Sequence, residues 1–192
     1  MLMYRVIFSS ELANSFGFKK AAKSEINLLE STIDNGKIKE SYSWKDKLGV
    51  HLIAVIENQN GNFCEPNYSS QIFVYQYLKA DSNYKIEWKI KDFVENKCST
   101  VRYLDSSIKI IDIDKDGIAE SSFLYGFFHD CCDPIKMKYI LHSQGAKLAI
   151  RGQVTMTGEL SENNYSLDKA FDKFPKEFKI YASNDWNTYL PR

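Results

Sequence analysis

The chain of 192 residues carries 25 basic and 25 acidic side chains, so its formal net charge at neutral pH is zero. This balance argues against a strongly basic nucleic-acid binder and against recruitment to anionic membranes by charge. A hydrophobic content of 44%, with nine Gly and four Pro, is typical of one packed domain, which we place at residues 1–192. No window approaches the ~20 apolar residues of a membrane-spanning helix.

The first residues, M-L-M-Y-R-V-I-F-S-S-E-L, contain an apolar run shorter than that of a secretory signal, so the expected location is cytoplasmic. A mature form with its leader removed would look the same and would be periplasmic or at the surface. The four cysteines, Cys64, Cys98, Cys131 and Cys132, are interpreted as free thiols of a reducing compartment. In an exported protein, the alternative is that Cys98 pairs with Cys131 or Cys132.

Short runs rich in β-branched and aromatic residues predict a mainly β fold, arranged as an antiparallel meander or an open sandwich. The predicted strands are residues 4–8, 37–43, 50–57, 71–78, 84–90, 107–111, 118–127, 136–142 and 146–152. Turn residues at 44–49 and 143–145 favour hairpins there. Residues 24–30 form either a short helix or an edge strand. The β core is expected to cover about residues 36–152.

The C-terminal part has a different period, which predicts an amphipathic helix within residues 166–190. Its apolar residues at helical spacing are Phe174, Phe178, Tyr181, Ala182, Trp186, Tyr189 and Leu190. Pro175 stands where a first helical turn tolerates proline. A shorter helix is expected at residues 167–173. We interpret the aromatic stripe as core packing across the sheet, which makes the fold α+β in detail.

Residues 112–120 read D-I-D-K-D-G-I-A-E and predict a calcium-binding loop. Ca²⁺ takes six to eight oxygen ligands, and short acidic side chains at alternate loop positions direct several carboxylates toward one centre. The expected ligands are Asp112, Asp114, Asp116, the carbonyl of Ile118, and Glu120. Strand-like residues flank the loop, and its twelfth position is Phe123, so the sequence excludes an EF-hand.

The D-x-D-x-D-G-x-x-E loop between two strands resembles the calcium loop of integrin-type repeats in β-propeller blades. The stretch Trp44-x-Asp46-x-x-Gly49 is similar to a degenerate second copy without the acidic triplet. Two such units cannot close a propeller of four or more blades. This resemblance therefore implies an open sheet or sandwich with propeller-like hairpins.

Residues 43–152 also resemble a family of small bacterial proteins named for surface polysaccharide biosynthesis. The resemblance rests on W-K-D-K-L-G, W-K-I-K-D, Cys98, the acidic loop followed by F-L-Y, a Cys-x-Asp-Pro region and R-G. It implies an accessory or carbohydrate-binding protein, with exposed tyrosines and tryptophans that stack on sugars. The stretch H-D-C-C-D at residues 129–133 departs from the family pattern.

The sequence contains no recognisable set of catalytic residues, and we therefore lean toward a protein that is not an enzyme. His129 with Cys131 and Cys132 is interpreted as a structural loop, because adjacent cysteines seldom share one tetrahedral metal. Glu87 and Asp92 could pair as glycosidase-like carboxylates. The third interpretation is a hydrolase that uses calcium to hold its substrate and loses activity when Glu120 or Asp92 is changed.

The leading functional hypothesis is a non-catalytic calcium-binding β domain that works by binding another protein. A toxin encoded by a neighbouring gene is one such partner, which would make the chain an immunity protein. Binding of a glycan in surface polysaccharide biosynthesis is the alternative.

Overall fold

The computed structural model describes residues 16–29, 33, 36–81, 83–94, 98–129, 134–154 and 165–189. Its elements are β1 (Lys19–Lys20), α1 (Lys23–Asn27), β2 (Lys37–Asp46), β3 (Gly49–Asn60), β4 (Ser69–Ala80), β5 (Asn83–Val94), β6 (Ser99–Tyr103), β7 (Lys109–Ile111), β8 (Glu120–His129), β9 (Ile135–Ser143), β10 (Ala146–Val154), β11 (Tyr165–Leu167), a 3-10 helix (Lys169–Lys173) and α2 (Lys176–Thr188). The predicted mainly β fold is confirmed.

The first sheet is an antiparallel meander with the strand order β1-β2-β3-β4-β5. The predicted hairpin between β2 and β3 is confirmed, but β2 continues to Asp46, so Lys47 and Leu48 alone form the turn. Residues 24–30 were predicted as a helix or an edge strand, and Lys23–Asn27 is helical. The predicted strand at residues 4–8 lies outside the described residues.

The second sheet has the order β11-β10-β9-β8-β6, and β7 also pairs with β8. Its antiparallel β9–β10 hairpin turns at Gln144 and Gly145, as the sequence predicts. β6 was not predicted, because its residues S-T-V-R-Y are short and alternate weakly. Val101 and Tyr103 of this strand are nonetheless buried. Tertiary packing therefore decides the state of β6.

The two sheets pack face to face as a β-sandwich. Ile53, Val55 and Val74 of the first sheet share one buried cluster with Phe123 and Ile140 of the second. Alternation along each strand sends every second side chain into this layer. Of the two predicted arrangements, an antiparallel meander or an open sandwich, the structure has a sandwich of two antiparallel sheets.

The C-terminal helix α2 covers the outer face of the second sheet. Phe178, Ala182 and Trp186 lie on one side of the helix and are buried in a cluster with Leu148 and Ile150 of β10. The predicted packing of the aromatic stripe across a sheet is confirmed, and the shorter helix predicted at residues 167–173 is the 3-10 helix. Within the described residues, no helix is long and apolar enough to cross a membrane.

The prediction of free thiols is wrong for two of the four cysteines. Cys64 and Cys98 form a disulfide, with Cα atoms 4.3 Å apart. The β3–β4 connection and the end of β5 lie at the same end of the first sheet, which brings these distant positions together. The alternative pairing of Cys98 with Cys131 or Cys132 is excluded because Cys98 is already bonded. Cys131 and Cys132 lie outside the described residues.

Candidate functional site

The acidic loop joins β7 to β8, which are antiparallel neighbours in the second sheet. Ile111 of β7 pairs with Glu120 of β8, so the ends of the loop are fixed by strand pairing. The buried side chain of Ile110 anchors β7 in the core between the sheets. The loop therefore has a rigid base, and its conformation depends on its own residues.

Three of the predicted ligands converge. Asp112, Asp114 and Asp116 each present an oxygen, and these three oxygens lie within 4.8 Å of one another. Lys115 and Gly117 take positive φ angles of 63° and 84°, which curl the backbone around the carboxylates. An oxygen-only donor set with three carboxylates matches the chemistry that Ca²⁺ prefers, so these residues fit the ion.

Hydrogen bonds within the loop hold the carboxylates in this arrangement. The backbone N–H groups of Asp116 and Gly117 donate to the Asp112 carboxylate, at 3.0 and 2.8 Å. The Asp116 carboxylate accepts from the N–H of Ile118 at 2.7 Å and from the Gln144 amide at 2.7 Å. Each of these oxygens keeps a second lone pair for another partner.

Glu120 is placed differently from the three aspartates. Its side chain is fully buried and accepts from the Ile113 N–H at 2.8 Å and from the Ser143 hydroxyl at 3.0 Å. Burial raises the pKa of this carboxyl to about 7, although the two hydrogen bonds lower it and the charges of Asp114 and Asp112 add to the rise. Glu120 therefore braces the loop from inside and lies outside the cluster of converging oxygens.

The turn between β2 and β3 contacts the acidic loop directly. Asp46, whose side chain is 1% exposed, accepts from the Ala119 N–H at 3.0 Å. The Lys47 N–H donates to the Gly117 carbonyl at 3.1 Å, and the Lys47 ammonium donates to the Asp116 carbonyl. The stretch that resembles a second copy of the loop is thus a brace for the first one. Sequence reasoning missed Lys47, because it lies 69 residues from its acceptor.

A buried charged network extends from Asp46 through the sandwich. His51 bonds to Asp46 at 2.9 Å and to Glu87 at 2.8 Å. Burial alone lowers the pKa of His51, but the hydrogen bonds and charges of the two carboxylates outweigh it and raise the pKa to about 9. Gln76 then joins Glu87 to Ser121 of β8. This chain of hydrogen bonds links the two sheets beside the acidic loop.

The remaining candidates for a catalytic or metal-binding role each contact a different partner. Glu87 contacts His51, whereas Asp92 contacts Lys138 at 2.5 Å, so each member of the proposed glycosidase-like pair has its own cation. Burial lowers the pKa of His142 to about 4, and its ring packs on Trp88. His129 bonds to the Ser99 hydroxyl at 2.5 Å.

The tryptophans do not form the exposed stacking surface that the polysaccharide resemblance implies. Trp44 and Trp186 are each 2% exposed, and Trp88 packs against Phe123 in the inter-sheet core. All three indole rings therefore mainly pack against other side chains of the protein. Any aromatic platform for a sugar has to use other rings.

The fold and the site together define a two-sheet antiparallel sandwich that carries an acidic β-hairpin loop and a C-terminal helix. No family model, curated protein or solved structure matches this chain.

Proposed function

We propose that this protein is a non-catalytic β-sandwich that binds Ca²⁺ at the loop of Asp112, Asp114 and Asp116 and acts by binding another protein. The convergence of three carboxylate oxygens within 4.8 Å carries the metal part of this proposal. Three anionic groups at this separation repel one another, and a divalent cation would remove that repulsion. The Lys47 ammonium compensates the charge only partly, because it binds a backbone carbonyl.

Cys64–Cys98 bears on where the protein works. Disulfides persist mainly in oxidising compartments, where calcium is also abundant enough for sites with dissociation constants of about 10⁻⁴–10⁻³ M. We therefore favour the periplasm or the cell surface over the cytoplasm as the place of action.

β5 is the surface that we assign to the protein partner. It is an edge strand of twelve residues that pairs with β4 and with no other described strand. Ile86 and Phe93 are 46% and 50% exposed on it, and lysines at 85, 89 and 91 are exposed. A partner that adds an extended segment with apolar and acidic side chains would fit this edge. A toxin from a neighbouring gene is the partner to test first, and the chain would then be an immunity protein.

The test is a pull-down of purified adjacent-gene products with the intact protein, with calcium or with EDTA. We expect one product to be retained, more strongly with calcium. Replacing both Ile86 and Phe93 with Glu should abolish retention. The matched control is Ile180→Glu, which changes a residue that is 54% exposed on α2. Failure to retain any adjacent-gene product in calcium, or equal loss in the control, would contradict the partner assignment.

Glycan binding is the second proposal, and it follows from the polysaccharide resemblance. The packing of the three tryptophans inside the protein does not favour glycan binding. Binding to a glycan array by the intact protein would support it, and silence on the array would remove it.

A further inference from the structure

A cleft of about 520 Å³ opens beside the first half of β9, far from the acidic loop. β9 and β10 form its floor with Lys136, Lys138 and Arg151, and Phe127 contributes an aromatic ring. Tyr165 also borders the cleft, but its ring packs on Trp186, on the opposite face of the sheet. The acidic loop contacts Gln144, just beyond the opposite end of β9. The cleft is therefore a separate site, and its volume lies within the usual range for small-molecule sites.

Strand register concentrates positive charge in this cleft. Arg151 of β10 is the direct cross-strand partner of Lys138 on β9. Lys136 lies two residues earlier on β9, so strand alternation puts it on the same face. Like charges directly opposite each other destabilise a sheet, and such a pair calls for compensating anions.

The protein supplies only part of this compensation. Lys138 has a close partner in Asp92, at 2.5 Å. Arg151 has Asp168 at 3.6 Å, with the two side chains 48% and 32% exposed, and it donates no hydrogen bond to any described residue. Within the described part of the chain, Lys136 has neither an ion pair nor a hydrogen bond. The planar guanidinium of Arg151 thus has N–H groups with which to bind a carboxylate or phosphate through two parallel hydrogen bonds, beside its ion pair with Asp168.

The other residues that line the cleft restrict the chemical class of the ligand further. Phe127 gives the cleft an apolar side, while Gln153 and Ser166 add hydrogen-bonding groups next to Arg151. A bare inorganic ion would make no use of the Phe127 ring or the Gln153 amide. We propose that the cleft binds a compact organic anion, in which a carboxylate or phosphate contacts Arg151 and Lys136 and the remainder of the molecule packs against Phe127.

The experiment is calorimetric titration of the intact protein, in EDTA, with glucuronate, glucose 6-phosphate and neutral glucose. We expect saturable binding of at least one anion and none of glucose, and the stronger anion identifies carboxylate or phosphate as the recognised group. Arg151→Gln should weaken binding by about tenfold or more, as expected when a charged hydrogen-bonding partner is removed. The matched control, Arg102→Gln, changes an exposed arginine on β6 outside the cleft and should leave binding unchanged.

Lys136→Gln is a second variant for the case that Arg151→Gln does not fold, since Lys136 is exposed and unpaired among the described residues. It should also weaken binding of the anion. The proposal is overturned if neither anion binds saturably below about 10 mM, or if Arg102→Gln weakens binding as much as the cleft variants do. Because calcium is absent throughout, loss of the calcium site or of the protein partner would not affect the result.

Discussion

His51 is protonated at neutral pH because two carboxylates enclose it. Its side chain is 3% exposed, and its ring nitrogens bond to Asp46 and Glu87. The carboxylates in turn have lowered pKa values: burial, the largest single effect, raises them, but the hydrogen bonds that they accept and the charge of His51 together outweigh it. The brace of the acidic loop therefore includes a buried cation, since Asp46 also accepts from Ala119. Ionisation of this one imidazole affects both sheets.

This arrangement predicts how the free energy of unfolding depends on pH. The folded-state pKa of His51, about 9, lies above its ordinary value of 6.5, so its contribution is full below the ordinary value and is lost as the pH rises through about 9. We expect the loss to be on the order of 2–3 kcal/mol. Urea unfolding at about pH 6.5 and about pH 9.5 measures it.

His51→Gln should be less stable near neutral pH and should lack this alkaline loss. The control is His129→Gln, which removes a histidine from outside the network and should retain it. An equal loss of stability between the two pH values in His51→Gln would show that another group is responsible.

At the scale of elements, α2 is held to the second sheet by one buried stripe. Phe178 is fully buried in this stripe, whereas Ile180 on the opposite side is 54% exposed. Phe178→Ala should lower the free energy of unfolding by about 3–5 kcal/mol, because it leaves a cavity in a packed core. Ile180→Ala should change it by less than about 0.5 kcal/mol. Chemical denaturation of both variants measures the difference, and similar losses would mean that the helix is docked by another face.

The sequence predicted α2 well because a 13-residue helix repeats its apolar positions several times. The long strands β3, β4 and β5 were predicted for the same reason. β1, β6 and β11 have two to five residues each, too few to show a period. The acidic triplet was legible because its ligands are local. The contacts by which Asp46 and Lys47 brace this loop could not be predicted, because they depend on how two hairpins that are distant in sequence pack together.

At the scale of the whole molecule, Cys64–Cys98 closes a loop that contains β4 and β5, with a sequence separation of 34 between the bonded positions. A loop of this length restricts the unfolded chain by roughly 3–4 kcal/mol. Replacing both cysteines with Ser should lower the free energy of unfolding by about that amount. Reduction of the unchanged protein should give the same loss, and a stability that is insensitive to both treatments would contradict a structural role for the bond.

Calcium binding is the central claim, and thermal unfolding with and without the ion tests it most directly. Asp114→Ala is the informative variant, because the Asp114 side chain is exposed and accepts only one weak hydrogen bond among the described residues, from the backbone N–H of Asp116. The same N–H also donates to the Asp112 carboxylate. The loop should therefore keep its shape when Asp114 is removed, and lose the metal. Glu65→Ala, which removes an exposed carboxylate outside the loop, is the matched control.

We expect millimolar calcium to raise the melting temperature of the unchanged protein and of Glu65→Ala. At about one hundred times the dissociation constant, binding of one ion adds about 2.7 kcal/mol. EDTA should reverse the rise, and Asp114→Ala should show none. An unchanged melting temperature in calcium, or an equal rise in Asp114→Ala, would contradict the account.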